Sequence, residues 1–406
     1  MKIVFLNTTS MESPYTRGRC FPIAQRLVQS GHEVHIVTLH HNFPECKEQE
    51  FIQDGVAIHY VGQMHVIKEN NITRYFLIHE LIWVAFLGAM NIFLKGFRLK
   101  AHVYHIGKPH PQNSLAGLGI KLLRRSSRFF LDYDDIEYIS NNISGNKVYS
   151  ATLKFFEVMT ARWVHGVTFH SSYLREMLIK YGVSKERIFK LPSQIDQNFY
   201  NKIDHEQIRL YRDLLGDGPI FLYLGSLSLA NHPIDLLLNA FANYLKEGKI
   251  GTLVIAGGGP DLRYLEEKSR ILEIDLHTIF LGRVAAENVP NLLRCAKFTI
   301  DPVKNDAVAK ARYPLKILES LSAGVPVITG DIGDRREMLN NGAAGILVKP
   351  GDAMSLCDGM HSLMQYSEGE YVAMQNAAFE SSRNFANHYI IEQLILFYKG
   401  ENIEAD

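Results

Sequence analysis

Arg312-Tyr313-Pro314-Leu315-Lys316-Ile317-Leu318-Glu319-Ser320-Leu321-Ser322-Ala323-Gly324-Val325-Pro326-Val327-Ile328 is the stretch from which the rest of the chain is best read. Proline fits the first turn of a helix, where the amide proton it lacks would have had no intrahelical partner, so a helix is predicted to start at Pro314. That first turn presents free N–H groups and the positive end of the helix dipole. Lys316 adds an ammonium, and together they suit a diphosphate. Glu319 follows on the same face, roughly 4.5 Å further along the axis at about 1.5 Å of rise per residue. That is comparable to the step from a nucleotide's phosphates to its ribose hydroxyls. Gly324 then ends the helix, and 325–328 is predicted as a buried strand. A Lys and a Glu at this spacing equally form a solvated surface pair, so the context decides.

Working outward, short apolar runs alternate with helical patterns. In the first half the runs are 3–6, 33–38, 103–105 and 128–131, with a helix over about 18–30. A second series opens at Pro219: strands at 220–223, 252–256, 278–281, 298–300 and 325–328, and helices between them, one at 234–245. Alternation of this kind predicts parallel α/β sheets. The regular pattern breaks over 191–218, at Pro192, the polar run 201–207 and Gly216-Asp217-Gly218-Pro219. The expected architecture is α/β with two Rossmann-like domains. The N-terminal domain takes 1–195 and is joined by a C-terminal helical segment, 386–406, carrying the apolar run 389–398; the second domain takes 196–385. Two such domains facing each other would place the ends of two sets of strands around one cleft.

The 406 residues are 47% hydrophobic and 21% charged with a formal net charge of zero, which gives no electrostatic case for nucleic acid. Local charge is uneven. Between Glu80 and Asp132 there is no acidic residue, while Lys95, Arg98, Lys100, Lys108, Lys121, Arg124, Arg125 and Arg128 are all basic. Cys20, Cys46, Cys295 and Cys357 are scattered without a CxxC spacing, as expected of reduced thiols in a cytoplasmic protein. The apolar run 81–90 is short for a bilayer span, which needs about 20 residues. A helix lying in the membrane interface, with Lys95, Arg98 and Lys100 after it, and a buried core helix both fit.

Several segments together resemble the nucleotide-sugar glycosyltransferases of family four, which have the GT-B fold. They are Gly31-His32-Glu33-Val34, His170-Ser171-Ser172-Tyr173-Leu174, Leu191-Pro192-Ser193-Gln194-Ile195-Asp196-Gln197-Asn198-Phe199, Tyr223-Leu224-Gly225-Ser226-Leu227, and Pro314 through Pro326. The resemblance covers nearly the whole chain. It implies transfer of a sugar from a nucleoside diphosphate sugar with retained anomeric configuration, a C-terminal helix that crosses back to the first domain, and no metal or other cofactor. It also implies that Glu319 binds the donor ribose and that the helix start before it receives the diphosphate. The family's second glutamate, eight residues before Glu319, is replaced by Ala311. Its diphosphate-clamping Arg and Lys are replaced by Ser226 and His232. Lys310, Arg312 and Lys316 are the nearest cations to meet the charge instead, with His232 as a hydrogen-bond donor.

Other candidates follow from position. Gly258 and Gly259, in Gly257-Gly258-Gly259-Pro260 after an apolar run, suit either close backbone approach to a ligand or a tight turn. By resemblance Arg283 borders the donor's base. Asp132 and Asp134 close the run 129–131. An Asp-x-Asp can hold a divalent cation on a diphosphate, but the family places a functional residue just after this strand. By resemblance they are therefore read as base or orienting groups for an acceptor hydroxyl, with helix capping by Asp134 or Asp135 as the structural alternative. By resemblance Arg17 and Gly18 stand where the family has a Gly-Gly turn beside the acceptor, and Lys108 and His110 follow the predicted strand at 103–105 on the same side. The expected partners are a nucleotide-sugar donor, a glycan or lipid-linked acceptor and an anionic membrane surface, with the chain cytoplasmic or peripheral at the inner face of the membrane. Competing readings are a non-catalytic sugar-nucleotide-binding subunit, a nucleotide-sugar 2-epimerase, and an NAD-dependent oxidoreductase. The last is weakened by the missing glycine fingerprint after the first strand.

Overall fold

In a computed structural model, which describes residues 1–69, 72–140, 146–383, 385 and 389–401, the chain divides into two compact units. The first is Met1–Gln194 with Asn387–Asp406; the second is Ile195–Ala386. The expected start of the C-terminal segment at 386 lies outside the described residues.

Among the described residues the first unit holds ten strands: β1 Lys2–Leu6, β2 Glu33–His40, β3 Glu50–Gln53, β4 Val56–Gln63, β5 Val66–Glu69, β6 Ile72–Tyr75, β7 Val103–Gly107, β8 Arg128–Tyr133, β9 Gly166–Phe169 and β10 Ile188–Lys190. Eight form one sheet in the order β10-β9-β8-β7-β1-β2-β4-β3, parallel except for the edge strand β3, and β5 pairs with β6 in a separate hairpin. β1 is flanked by β2 on one side and β7 on the other, so the strand order reverses there. On one face, Ile3, Phe5 and Phe130 pack with the helix Phe21–Gln29 and with Ile391, Leu394 and Phe397 of the C-terminal helix Tyr389–Lys399. Gly166 on β9 is what lets the Phe397 ring in, because a Cβ there would overlap it.

The second unit has β11 Ile220–Leu224, β12 Thr252–Ala256, β13 Thr278–Gly282, β14 Phe298–Asp301, β15 Val327–Gly330 and β16 Gly345–Val348. All are parallel, in the order β13-β12-β11-β14-β15-β16. This is the doubly wound order, whose ligands bind beyond the strand ends where the order reverses, here between β11 and β14. Continuous apolar runs such as Ile220-Phe221-Leu222-Tyr223-Leu224 are what a strand covered on both faces requires. Separate cores lie on the two faces, one around Leu222, Val254 and Ile317 and the other around Phe221, Phe241 and Ile255.

The helix expected from Pro314 runs Leu315–Ser322, with Pro314 as an extended N-cap. Its end accounts for a two-residue difference in the next strand. Gly324, at φ +70°, donates to Leu321 O (3.0 Å), and Val325 N donates to Ser320 O (2.9 Å). Those two bonds are a Schellman cap, so Val325 belongs to the helix terminus and β15 starts at Val327.

Candidate functional site

At the β11–β14 switch point of the second unit, Asp301 closes β14 and is buried. Arg335 Nε donates to its Oδ2 (3.0 Å), as does Thr329 Oγ1 (3.1 Å), and Lys316 Nζ lies 3.4 Å from its Oδ1. Burial opposes the Asp301 charge, but Arg335, Lys316 and His232 outweigh it and hold the carboxyl below its usual range. Lys316, in the first turn of Leu315–Ser322, also stands 4.5 Å over the Tyr223 ring and 3.4 Å from its hydroxyl. Its ammonium is thus held beside Gly225, the first residue after β11. A Cβ on Gly225 would meet Nζ at 3.2 Å. Glu319, one turn on, accepts from Tyr200 Oη at 2.8 Å.

His232 is driven far below its ordinary pKa by burial and by Lys316 and Arg312, so its imidazole is neutral and offers one N–H. Arg312 donates to Asn231 O (2.9 Å) and Oδ1 (2.7 Å), tying down the loop that carries His232. The glycine run serves the fold. Gly225 N donates to Ala256 O (2.9 Å) and Leu227 N to Gly258 O (3.1 Å), extending the ladder past the strand ends. A Cβ on Gly257 would strike Gly225 O, and one on Gly259 would strike Leu227 O. The close approach expected of this run is therefore to the neighbouring loop's backbone. Ser226, Arg283 and Lys310 are exposed, and Arg283 lies beside Gly258.

In the first unit the acidic candidates separate. Asp132, within β8, takes a two-pronged ion pair from Arg19, Nε to Oδ2 at 2.7 Å and Nη2 to Oδ1 at 2.6 Å. Tyr15 Oη (2.9 Å) and Thr168 Oγ1 (2.8 Å) complete its shell. Burial opposes its charge, but Arg19 prevails and keeps it ionised well below the usual carboxylate range. Both oxygens are occupied, which suits the orienting role better than the base, the two roles read for it from sequence. Asp134 differs: burial, with Glu137, Asp132 and Asp135 nearby, lifts it to about 7 despite Lys108 at 3.1 Å. Of the two capping candidates, Asp135 lies against the short helix Glu137–Ser140: its Oδ1 accepts from Ile136 N (2.8 Å) and Ser140 Oγ (2.7 Å).

Lys108 holds a left-handed backbone, φ +61°, uncommon for a side chain of its size. Its ammonium reaches Glu137 Oε1 at 2.6 Å and lies 5.1 Å over the Tyr15 ring. Against the pull of burial, Asp134 and Glu137 raise its pKa above the ordinary lysine value. His110 bridges Thr8 Oγ1 and Glu137 Oε2, each at 3.0 Å. Arg17 is exposed and Gly18 partly so. Arg19, two residues along the same turn, is the one that faces inward. Sequence reasoning missed Arg19, Glu137, Asp301 and Arg335. Only Asp301 carried a local signal, the end of an apolar run, as Asp132 does.

Among the described residues Glu247, Cys357 and His361 bring three ligand-type atoms within 4.8 Å of one another. Burial pushes the Cys357 thiol up to about 11, and His361 pairs with Glu247 at 2.8 Å. The trio joins the end of helix Ile234–Lys246 to helix Ala353–Met364.

Two family models match, in tandem: Glycosyltransferase Family 4 over residues 20–199 and Glycosyl transferases group 1 over 218–366. The chain belongs to glycosyltransferase family four. Its fold agrees. HepE of Anabaena in complex with UDP-glucose superposes with a TM-score of 0.72 at 16% identity, over 97% of this chain and 98% of that one. Sucrose-phosphate synthase of Thermosynechococcus elongatus gives 0.75 at 14% identity, over 98% of each chain. Both units are thus those of a GT-B glycosyltransferase. Among curated relatives, the alpha-monoglucosyldiacylglycerol synthase of Streptococcus pneumoniae is 30% identical over 56% of this chain and 52% of its own. An uncharacterized glycosyltransferase of Methanocaldococcus jannaschii is 23% identical over 94% and 93%. Apart from that uncharacterized glycosyltransferase, the chain spans about half the length of the curated relatives it matches.

Proposed function

We propose that this family-four transferase moves a sugar from a nucleoside diphosphate sugar to a polysaccharide or glycolipid precursor, with retention, at the cytoplasmic side of a membrane. The observation that carries the donor assignment is Lys316, fixed by Asp301 and Tyr223 in the first turn of Leu315–Ser322 at the β11–β14 switch point. A leaving nucleoside diphosphate gains negative charge as the glycosidic bond breaks. An ammonium, helix N–H groups and the His232 N–H already in place stabilise that charge without reorganising. Glu319, oriented by Tyr200, is suited to accept from ribose hydroxyls. With these groups meeting the diphosphate, no metal is required. Asp134, lifted to about 7, is suited to exchange a proton with an acceptor hydroxyl near neutral pH.

A thermal-shift panel of UDP, GDP, ADP and dTDP sugars with NAD tests the donor. One sugar nucleotide should shift the melt selectively, by about 2.7 kcal/mol of stabilisation at 100 times its dissociation constant. NMR of the product's anomeric coupling tests retention. If no nucleotide shifts a folded sample, the donor assignment is wrong. Donor binding with no transfer to any acceptor would instead favour a non-catalytic subunit, and donor isomerised without acceptor would favour an epimerase.

A further inference from the structure

The helix Ile78–Leu99 contains a 21-residue segment, His79–Leu99, long and apolar enough to cross a membrane. It is docked on the sheet instead. Gly88 abuts Leu39, and a Cβ on Gly96 would come within 2.8 Å of Ile120. Ile92 between them is fully buried, and Asn91 donates to Val61 O at 2.9 Å. Small or buried residues at 88, 92 and 96 form a seam repeating every four residues, which fixes one side of the helix to the unit. A crossing orientation would tear this seam open.

The other side is bare. Ile82, Trp83, Phe86, Met90 and Leu94 are all exposed, Trp83 at 61% and Phe86 at 56%, and only 17% of the apolar window is buried. The helix Pro111–Leu123 packs beside it and exposes Leu115, Leu122 and Leu123. Next to that, Lys147–Trp163 exposes Val148 and Phe155. An apolar groove lined by Leu118, Phe155, Val158 and Met159, with Lys154 and Arg162 also on its wall, lies between these two helices. Apolar surface this continuous marks an interaction site.

Its charge selects the occupant. Arg98, Lys100, Arg125, Lys147, Lys154 and Arg162 are exposed in this layer. No acid occurs from 81 to 131, and the single acid of Lys147–Trp163, Glu157, is fully buried. A second copy meeting this face symmetrically would set cation against cation. A bilayer with anionic headgroups complements both features. We propose that the outer helical layer of the first unit docks on an anionic membrane, with Trp83 and Phe86 entering the headgroup region and the exposed cations meeting lipid phosphates. This surface is separate from the donor residues of the second unit and stands or falls independently of them.

Flotation of the full chain with phosphatidylcholine vesicles, with and without one-third phosphatidylglycerol, tests it. Binding should require the anionic lipid and weaken at high salt. Trp83→Asp with Phe86→Asp should cut the bound fraction about tenfold or more without moving the melting temperature or the nucleotide-sugar shift. Neutralisation of Arg98, Lys100 and Arg125 to glutamine should cost about fivefold per cation. The proposal is overturned if the parent chain floats with neither vesicle, or if the apolar double variant floats as well as the parent. It is equally overturned if sedimentation shows a dimer that the double variant dissolves, which would assign the face to a second copy.

Discussion

In the second unit one buried carboxylate, Asp301, serves two cations, Lys316 and Arg335; in the first unit two cations, Arg19 and Lys108, face three carboxylates, Asp132, Asp134 and Glu137. The same kind of place, the strand ends near a reversal of strand order, therefore carries opposite surplus. A cation surplus beside a helix start leaves positive charge for an incoming anion. Burial first, and then the neighbouring carboxylates, lift one member, Asp134, to about 7 against the pull of Lys108. One fold pattern thus yields a site suited to a diphosphate and another suited to hydroxyls and protons. An aspartate stands at each strand end, and the difference lies in the charged groups that other segments bring beside it.

The sharpest way to break this comparison is to remove one half of a buried pair. Asp132→Ala leaves the Arg19 guanidinium buried without its partner and should cost about 3–5 kcal/mol in urea unfolding. A small loss would mean that Tyr15 and Thr168, not the ion pair, organise that end of the sheet. In the second unit Lys316→Ala removes the surplus cation while Asp301 keeps Arg335. Its expected cost is about 10²–10³-fold in kcat/KM with little change in melting temperature. An unaltered rate would dissociate Lys316 from the donor. Glu319→Ala should weaken donor affinity by about 1.5–3 kcal/mol, the worth of a hydrogen bond to a charged group, and calorimetry with the donor found by thermal shift would read it. Equal affinity in that variant refutes the ribose role.

The smallest effect is set by pH. Asp134 in the folded chain sits above its unfolded value of about 3.9, so folding favours its protonated form. Its stabilising share is complete below pH ~4 and is lost as pH rises through about 7. Glu157, also raised to about 7 by burial, adds in the same direction. Asp132, Glu137 and Asp301 are depressed, so their contributions are present at higher pH and are lost on acidification below the usual carboxylate range. His59, His105, His170 and His232, held below their ordinary pKa by burial, act in the opposite sense and add stability as pH rises toward about 6.5. The Asp134 share is therefore read by difference: the unfolding midpoint of Asp134→Asn should gain on that of the parent as pH rises from about 4 to 7, and an identical pH dependence in the two would mean that Asp134 does not titrate there.

Much of this was readable in the chain itself. Strands 220–223 and 252–256 and the helix at 234–245 fall within a residue or so of the observed elements, because a parallel strand covered on both faces needs an unbroken apolar run. The Lys316 and Glu319 spacing was equally local, fixed by helical geometry. Whether the helix carrying the apolar run 81–90 was a core helix or a surface helix was not local. Its seam at Gly88, Ile92 and Gly96 and its bare face at Trp83 and Phe86 are distinguished only by what packs against each. On the acceptor side, the candidate Arg17 is exposed while Arg19, which was not a candidate, is the one buried against Asp132, and nothing local tells two arginines two residues apart from one another.

The sequence by itself determined the two α/β series, the helix that offers its start to an anion, and the acid-free basic stretch, because each depends on neighbours within a few turns of chain. Only the tertiary structure decided which ionisable groups are bound to one another. Arg19 and Asp132 meet across 113 residues, and Asp301 meets Arg335 across 34. The charge state of a buried group depends on burial and on partners brought by other strands, and no local pattern records either.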